Sequence, residues 1–303
     1  MLAGTGLSPD LVSDFKALTA YPFMVNAFEA GTIVAVMAGV IGWFMVLRRQ
    51  TFAGHTLSLM AFPGASAALL LGLSAAAGFF VFSTAAALVI GAAVGRSRSN
   101  RGQESAVTGS VQAFGLACGF LFLSLYSGVL ANYETLLFGS FLGITTSQVR
   151  VLALVAVVAL AALAFAGRPL LFASVDEGVA RARGVPATAL GLGFLVLLGL
   201  AVAETAQITG ALLVFALLVA PPASAQLITP RIGLSIALSA LIGVLITWVG
   251  LALAYFYGDP VGFYITTLAF ACYVIARVAR ALRDRAGGRG PVLLGTRAAE
   301  GPA

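Results

Sequence analysis

Residues 233–256 read GLSIALSALIGVLITWVGLALAYF, without one charged side chain. As an α-helix such a stretch extends about 36 Å, at about 1.5 Å per residue, against a bilayer hydrocarbon core of about 30 Å. Lipid offers the backbone no hydrogen-bond partners, so a spanning segment of this kind has to be helical. Comparable apolar runs lie at 23–47, 57–74, 76–95, 106–127, 149–167, 187–203, 207–228 and 260–277.

The whole chain agrees with these runs. Of 303 residues, 60% are hydrophobic and 9% charged, whereas soluble domains carry roughly 25% charged residues. That excludes an ordinary cytosolic enzyme, a secreted disulfide scaffold and a disordered regulator. Runs 57–74 and 76–95 share almost no polar linker, so one of them is expected to be broken or re-entrant. The stretch 129–148 is apolar enough to dip into the bilayer as well. The expected class is all-α, a polytopic helical membrane protein with about 8–10 transmembrane elements. The expected division is a polar segment over 1–20, a transmembrane domain over 21–278 and a solvated basic tail over 279–303.

The formal charge of +6 reflects topology rather than a nucleic-acid partner. Arg48 and Arg49, then Arg96, Arg98 and Arg101, then Arg168, Arg181 and Arg183, then Arg231, then the tail from Arg277, occupy alternate connections. The other connections hold Glu134, Glu204 and Asp259, with Arg150 as the basic exception. Basic loops stay on the cytoplasmic side, which places the C-terminus inside and, with nine spans, the N-terminus outside. The first twenty residues, with Asp10, Asp14 and Lys16, do not have the form of a secretory signal. Cys118 and Cys272 lie far from any CxxC pattern and read as small packing residues.

Few residues can carry chemistry. There is no GxxxxGK[ST] loop, and Lys16 is the only lysine, so ATP binding of the P-loop kind is excluded for this chain. One histidine in the chain leaves little for an intramembrane enzyme. Glu29, with Asn26 one turn before it, stands on the first run and suits either a polar vestibule or a headgroup-level position. Glu204 and Asp259 read as ordinary residues of outer turns. His55 follows the Arg48-Arg49 pair and precedes Ser58 and Pro63. Imidazole suits zinc, copper, iron or nickel, but one histidine needs a second copy of the chain to build a site.

Two further segments stand out. Pro63-Gly64-Ala65-Ser66-Ala67-Ala68-Leu69 echoes Pro221-Pro222-Ala223-Ser224-Ala225-Gln226-Leu227. The charge map runs the first outward and the second inward, and paired broken spans in opposite orientation point to a transport pathway. FASVDEGVARARGVP at 172–186 has acids first, arginines later, then glycine and proline. That is a short polar helix with its own stop signal, either a linker or a docking knob.

These residues resemble the integral-membrane permeases of metal-ion (zinc/manganese/iron) ABC importers, over about Tyr21 to Arg277. The markers are VLRRQTFAGHTLSLMAFPGASAALLLG at 46–72, LLFGSFLGIT at 136–145, FASVDEGVARARGVP at 172–186, and GALLVFALLVAPPASAQLIT at 210–229 followed by GLALAYFYGDPVGFYI at 250–265. The resemblance implies a non-catalytic permease in the bacterial cytoplasmic (inner) membrane, embedded in lipid and working as a homodimer. It implies separate ATPase subunits that hold the ATP, an extracytoplasmic metal-binding protein, no cofactor bound by this chain, and Zn2+ or Mn2+ as cargo. It makes the 172–186 segment, with Asp176, Glu177, Ala180 and Gly184, the coupling segment. Glu29, Asn26, Ser58, Pro63, Pro221 and Pro222, from the reading of the residues themselves, are the candidates for the pathway.

The chain departs from the family pattern at two positions. His55 stands where the pattern has aspartate, and Leu59 where it has histidine. The acid–imidazole pair associated with the cation path is therefore absent. A dimer-supplied pair of His55 side chains would favour zinc over manganese. A permease for a metal chelate, and a secondary transporter needing no ATPase, are the rival expectations.

Overall fold

A computed structural model describes residues 18, 20–96, 101–126, 143–210 and 214–286, and among them the regular structure is helical. The helices are α1 (Pro22–Leu47), α2 (Thr51–Leu59), α3 (Ala61–Leu70), α4 (Ala75–Arg96), α5 (Arg101–Leu125), α6 (Thr146–Val175), α7 (Glu177–Ala182), α8 (Ala187–Thr209), α9 (Val214–Ile228), α10 (Ile232–Tyr257) and α11 (Val261–Ala286). Seven of these are long and apolar enough to cross a membrane: α1, α4, α5, α6, α8, α10 and α11. The α2–α3 pair and the short α9 bring the membrane elements among the described residues to nine, inside the expected range.

The 57–74 run is indeed the broken one. α2 and α3 meet at Met60, which closes the first helix and opens the second. At the other end of the chain α11 continues through Ala286, so the first residues of the expected tail are helical. The segment 1–17, most of 129–148 and of the 136–145 marker, and the tail beyond 286 lie outside the described residues.

α1 forms the centre. It is apolar all round, the pattern of a helix enclosed by others, and α6, α8, α9 and α10 pack against it. Small residues let the backbones approach. A Cβ on Gly42 would collide with the Leu218 carbonyl oxygen of α9. Pro222 lies four residues after Leu218 and has no N–H to offer that carbonyl. The groove at Gly42 is what accommodates the exposed carbonyl.

Polar side chains secure the same contacts. The Trp43 indole N–H donates to Ser235 Oγ at 2.9 Å, and the Ser239 hydroxyl donates to the Gly39 carbonyl at 2.8 Å. Gln226 Nε2 donates to the Trp43 carbonyl at 2.9 Å, and Trp248 Nε1 donates to Thr32 Oγ1 at 2.8 Å. With no hydrophobic effect between helices in lipid, close packing and such bonds carry the association.

Helix directions follow from these contacts. Gln226 meets Trp43 near the arginine-bearing end of α1, so α9 runs toward that end. α2–α3 starts at that end and runs away from it, with Gly64 against Gly78 of the antiparallel α4. The Pro63 and Pro221-Pro222 segments are therefore oppositely directed, as the echo in sequence implied.

Candidate functional site

His55 sits midway along α2, between the Arg48–Gln50 turn and the break at Met60. Its ring meets Phe215 near the start of α9 edge-on, with centroids 5.0 Å apart. The side chain is half-buried, yet Nδ1 is enclosed and has no hydrogen-bond partner. An imidazole nitrogen held in this way is an open ligand or proton position. The two elements that meet at His55 are the two that do not complete a membrane crossing as single helices. Irregular backbone at membrane depth belongs where it lines a cavity or is covered by protein.

The other pathway candidates fall into three groups. Ser58 and Pro63 are buried on the same broken element, but the Ser58 hydroxyl donates to the His55 carbonyl at 2.7 Å. Pro221 and Pro222 are buried inside α9, on the element that carries Phe215. Glu29 is exposed on α1. Asn26 is a clamp: its Nδ2 donates to the Ile144 carbonyl at 3.0 Å, pinning α1 to the segment that enters α6.

Sequence reasoning missed Glu204. It was read as part of an outer turn, but α8 continues to Thr209 and breaks only at Gly210, which adopts φ +77°. Glu204 is 0% exposed, and both of its carboxyl oxygens lack a partner. A signal was available, because Glu204 is the only charged residue between Arg183 and Arg231, with no glycine, proline or asparagine beside it. Asp259, read in the same way, does lie in a turn. It is exposed after Gly258 and accepts a hydrogen bond from the Tyr264 hydroxyl at 2.7 Å.

The 172–186 segment forms the short helix expected of it. Asp176 caps α7 by accepting from the Val179 N–H at 2.9 Å, and Arg181 pairs with Glu177 one turn apart at 2.5 Å. Gly184 ends the turn at φ +80°, where a side chain would be strained. Ala180 is 0% exposed and packs with Ala173 and Ala187, while Glu177, Val179, Arg181 and Arg183 stay exposed. One alanine anchors the helix, and the rest of its surface is available to another protein. Near its root, Arg48 Nη1 donates to Ser174 Oγ at 2.9 Å, and the Arg48 guanidinium stacks on Phe194. The end of α1, the start of α8 and the root of α7 are thereby tied together.

A cavity of about 440 Å3 opens beside this tie, lined among others by Arg48, Arg49, Ser105, Thr108 and Ser174. Among the described residues, no group of three or more His, Cys, Asp or Glu side chains is arranged to hold a metal ion.

Comparison with known proteins agrees with the helical membrane fold. The manganese transport system membrane protein MntC of Halalkalibacterium halodurans is 28% identical over 263 residues, covering 86% of this chain and 89% of that protein. The chelated iron transport system membrane protein YfeC of Yersinia pestis is 29% identical, covering 82% and 83%. The structure of PsaBC from Streptococcus pneumoniae in complex with Fab matches with a TM-score of 0.77 and 26% identity, over 88% of this chain and 95% of that one. The model of the ABC 3 transport family matches residues 20–280. The seven long apolar helices make the protein a multi-pass membrane protein, and with nearly its whole length matched, the chain belongs to the ABC 3 transport family.

Proposed function

We propose that this chain is the permease subunit of an ABC importer for a divalent transition metal, zinc first and manganese second. The observation that carries the reading is the enclosed, unpartnered Nδ1 of His55, where the broken α2–α3 element meets the proline-bearing α9 in a chain of this family. Family membership supports two copies of the chain forming the conduit, with an extracytoplasmic binding protein delivering the ion. ATP is handled on separate ATPase subunits, since this chain lacks the loop for it.

The mechanism is alternating access. α7 presents an exposed surface on a single buried alanine and leads directly into α6 and α8. Closure of the ATPase pair against α7 shifts those helices, and Arg48 passes the shift to α1 and the α2 entry. A ligand or partner moves such an equilibrium only by binding one packing better than the other. The reading puts the difference between the two packings where α2 meets α9, at the contact of His55 with Phe215.

Zinc is favoured over manganese by the side-chain chemistry: imidazole without a carboxylate beside it suits the borderline ion. The named relatives give weight to manganese. The likeness to a chelated iron permease supports a metal chelate as the second reading. Uptake of free radioactive zinc, free manganese and a ferric chelate by vesicles holding the whole transporter separates the three.

The reading predicts that an ATP-binding subunit copurifies with the wild type. It predicts that the subunit is lost from an Asp176→Ala/Glu177→Ala/Gly184→Val triple variant, which still reaches the membrane. Full-rate metal uptake by the purified chain alone, with no ATPase present, would overturn it.

A further inference from the structure

Among the described residues, three enclosed side-chain polar atoms have no hydrogen-bond partner: Nδ1 of His55 and the two carboxyl oxygens of Glu204. All three are lone-pair donors of the kind that hold divalent transition metals. The other polar side chains buried at membrane depth behave differently. Thr205, next to Glu204, donates to the Ala201 carbonyl at 2.7 Å, and Ser224 and Thr247 donate in the same way to carbonyls four residues back. They are absorbed by their own helices. Glu204 is not, and its carboxyl secures no contact that an apolar side chain would not secure as well.

Helix register places the two unpartnered groups at different depths on helices that run in the same direction. Ser83 of α4 donates to the Leu57 carbonyl of α2, and Gly199 of α8 lies against the Ser83 carbonyl. Leu57, Ser83 and Gly199 therefore share a level. Gly91 against Leu192, and Ser83 against Gly199, make α8 antiparallel to α4 and so parallel to α2–α3. His55 lies two residues to the arginine-bearing side of that level, and Glu204 five residues to the other side. At about 1.5 Å per residue the separation along the helices is about 10 Å. That is too far for both to ligate one ion, and a suitable step between successive positions.

We propose that Glu204 is a second cation station of the conduit, receiving the transported divalent metal ion in sequence with His55; the inference rests on the importer reading above. An ionised carboxylate without a partner costs several kcal/mol in a low-dielectric interior, and a divalent ion beside it would supply the charge that the surrounding side chains do not. One carboxylate leaves the ion partly hydrated and weakly held, as conduction requires, since an ion that binds must also leave.

The test uses the complete transporter, chain plus ATPase subunits plus binding protein, in vesicles, with Mn2+, Zn2+ and Cd2+ as probes. Glu204→Gln is expected to retain the ATPase subunits and the wild-type melting temperature while lowering ATP-driven uptake of Mn2+ and Zn2+ by about tenfold or more. Glu204→Cys is expected to raise the Cd2+-to-Mn2+ uptake ratio by about tenfold, because thiolate is the softer ligand. Wild-type uptake by Glu204→Gln, or an unchanged ratio in Glu204→Cys, would show a neutral acid buried for packing alone and overturn the inference. Failure of both variants to assemble with the ATPase would make the carboxyl structural and overturn it equally. Absence of metal uptake in the wild type removes the importer reading, and this station with it.

Discussion

The seam where α1 meets α9 and α10 and the region where α2 meets α8 lie at similar depth in the same bundle, and they treat polar atoms in opposite ways. In the seam, Trp43, Ser235, Ser239, Gln226 and Gly39 exchange hydrogen bonds across helices. Each of these side chains has a partner on another helix. Around α2 and α8, by contrast, His55 Nδ1 and the Glu204 carboxyl are enclosed without one. An unpaired polar group inside a protein costs more than a made bond gains. The seam is therefore the part that holds the fold, and the α2–α8 region is the part that leaves buried side-chain atoms unpartnered.

The comparison can be broken from either side. The largest effect is expected in the seam. Gly42→Val puts branched carbons where the Leu218 carbonyl and the Pro222 ring already sit. Backbone cannot yield there cheaply, so overpacking should cost about 3 kcal/mol or more. The expected outcome is loss of monodisperse protein in detergent, read by size-exclusion chromatography. A well-folded Gly42→Val chain would mean that the seam is looser than its contacts imply.

His55→Ala comes next and should separate function from stability. The His55 ring makes an edge contact with Phe215 and no hydrogen bond through Nδ1. Its removal should change the melting temperature little while lowering zinc uptake by about tenfold or more. Unchanged uptake, in the same vesicles where the coupling-segment triple variant abolishes it, would remove the ligand role from His55.

The smallest effect should come from Trp43→Phe, which keeps the ring in the seam but deletes the donor to Ser235. Hydrogen bonds between membrane helices are worth about 0.6 kcal/mol on average. Thermal unfolding should fall by a degree or two, with zinc uptake intact. A large loss of uptake from this substitution would show that the seam also moves during transport, and would blur the contrast drawn above.

How much of this was legible before folding depends on the kind of information each feature needs. The spans, a break in one of the two runs 57–74 and 76–95, and the capped short helix α7 are local properties. Asp176 caps α7 because a carboxylate sits three residues before an unsatisfied N–H, and Gly184 stops it because only glycine takes φ +80° without strain. The echo of Pro63 with Pro221-Pro222 was legible for the same reason, since prolines and small residues mark interrupted helices wherever they are met.

The lack of partners for the Glu204 carboxyl and the contact made by Asn26 were not legible, because they depend on which helix face meets which neighbour. Helices that are apolar on every side give no periodic stripe to announce an inward face. Glu204 was assigned to a turn by its charge, yet α8 runs past it and α4 packs along the same helix. Asn26 was assigned to a vestibule, yet its amide is bound to Ile144, a residue 118 positions away.

The amino-acid sequence by itself determined that this chain lives in a bilayer, is helical, carries no ATP loop, and has its histidine at the entry of a broken span. Tertiary structure alone decided which polar atoms are satisfied and which wait. Hydropathy and capping act within a turn or two of chain. Hydrogen-bond satisfaction in a bundle is set by contacts between segments tens to hundreds of residues apart.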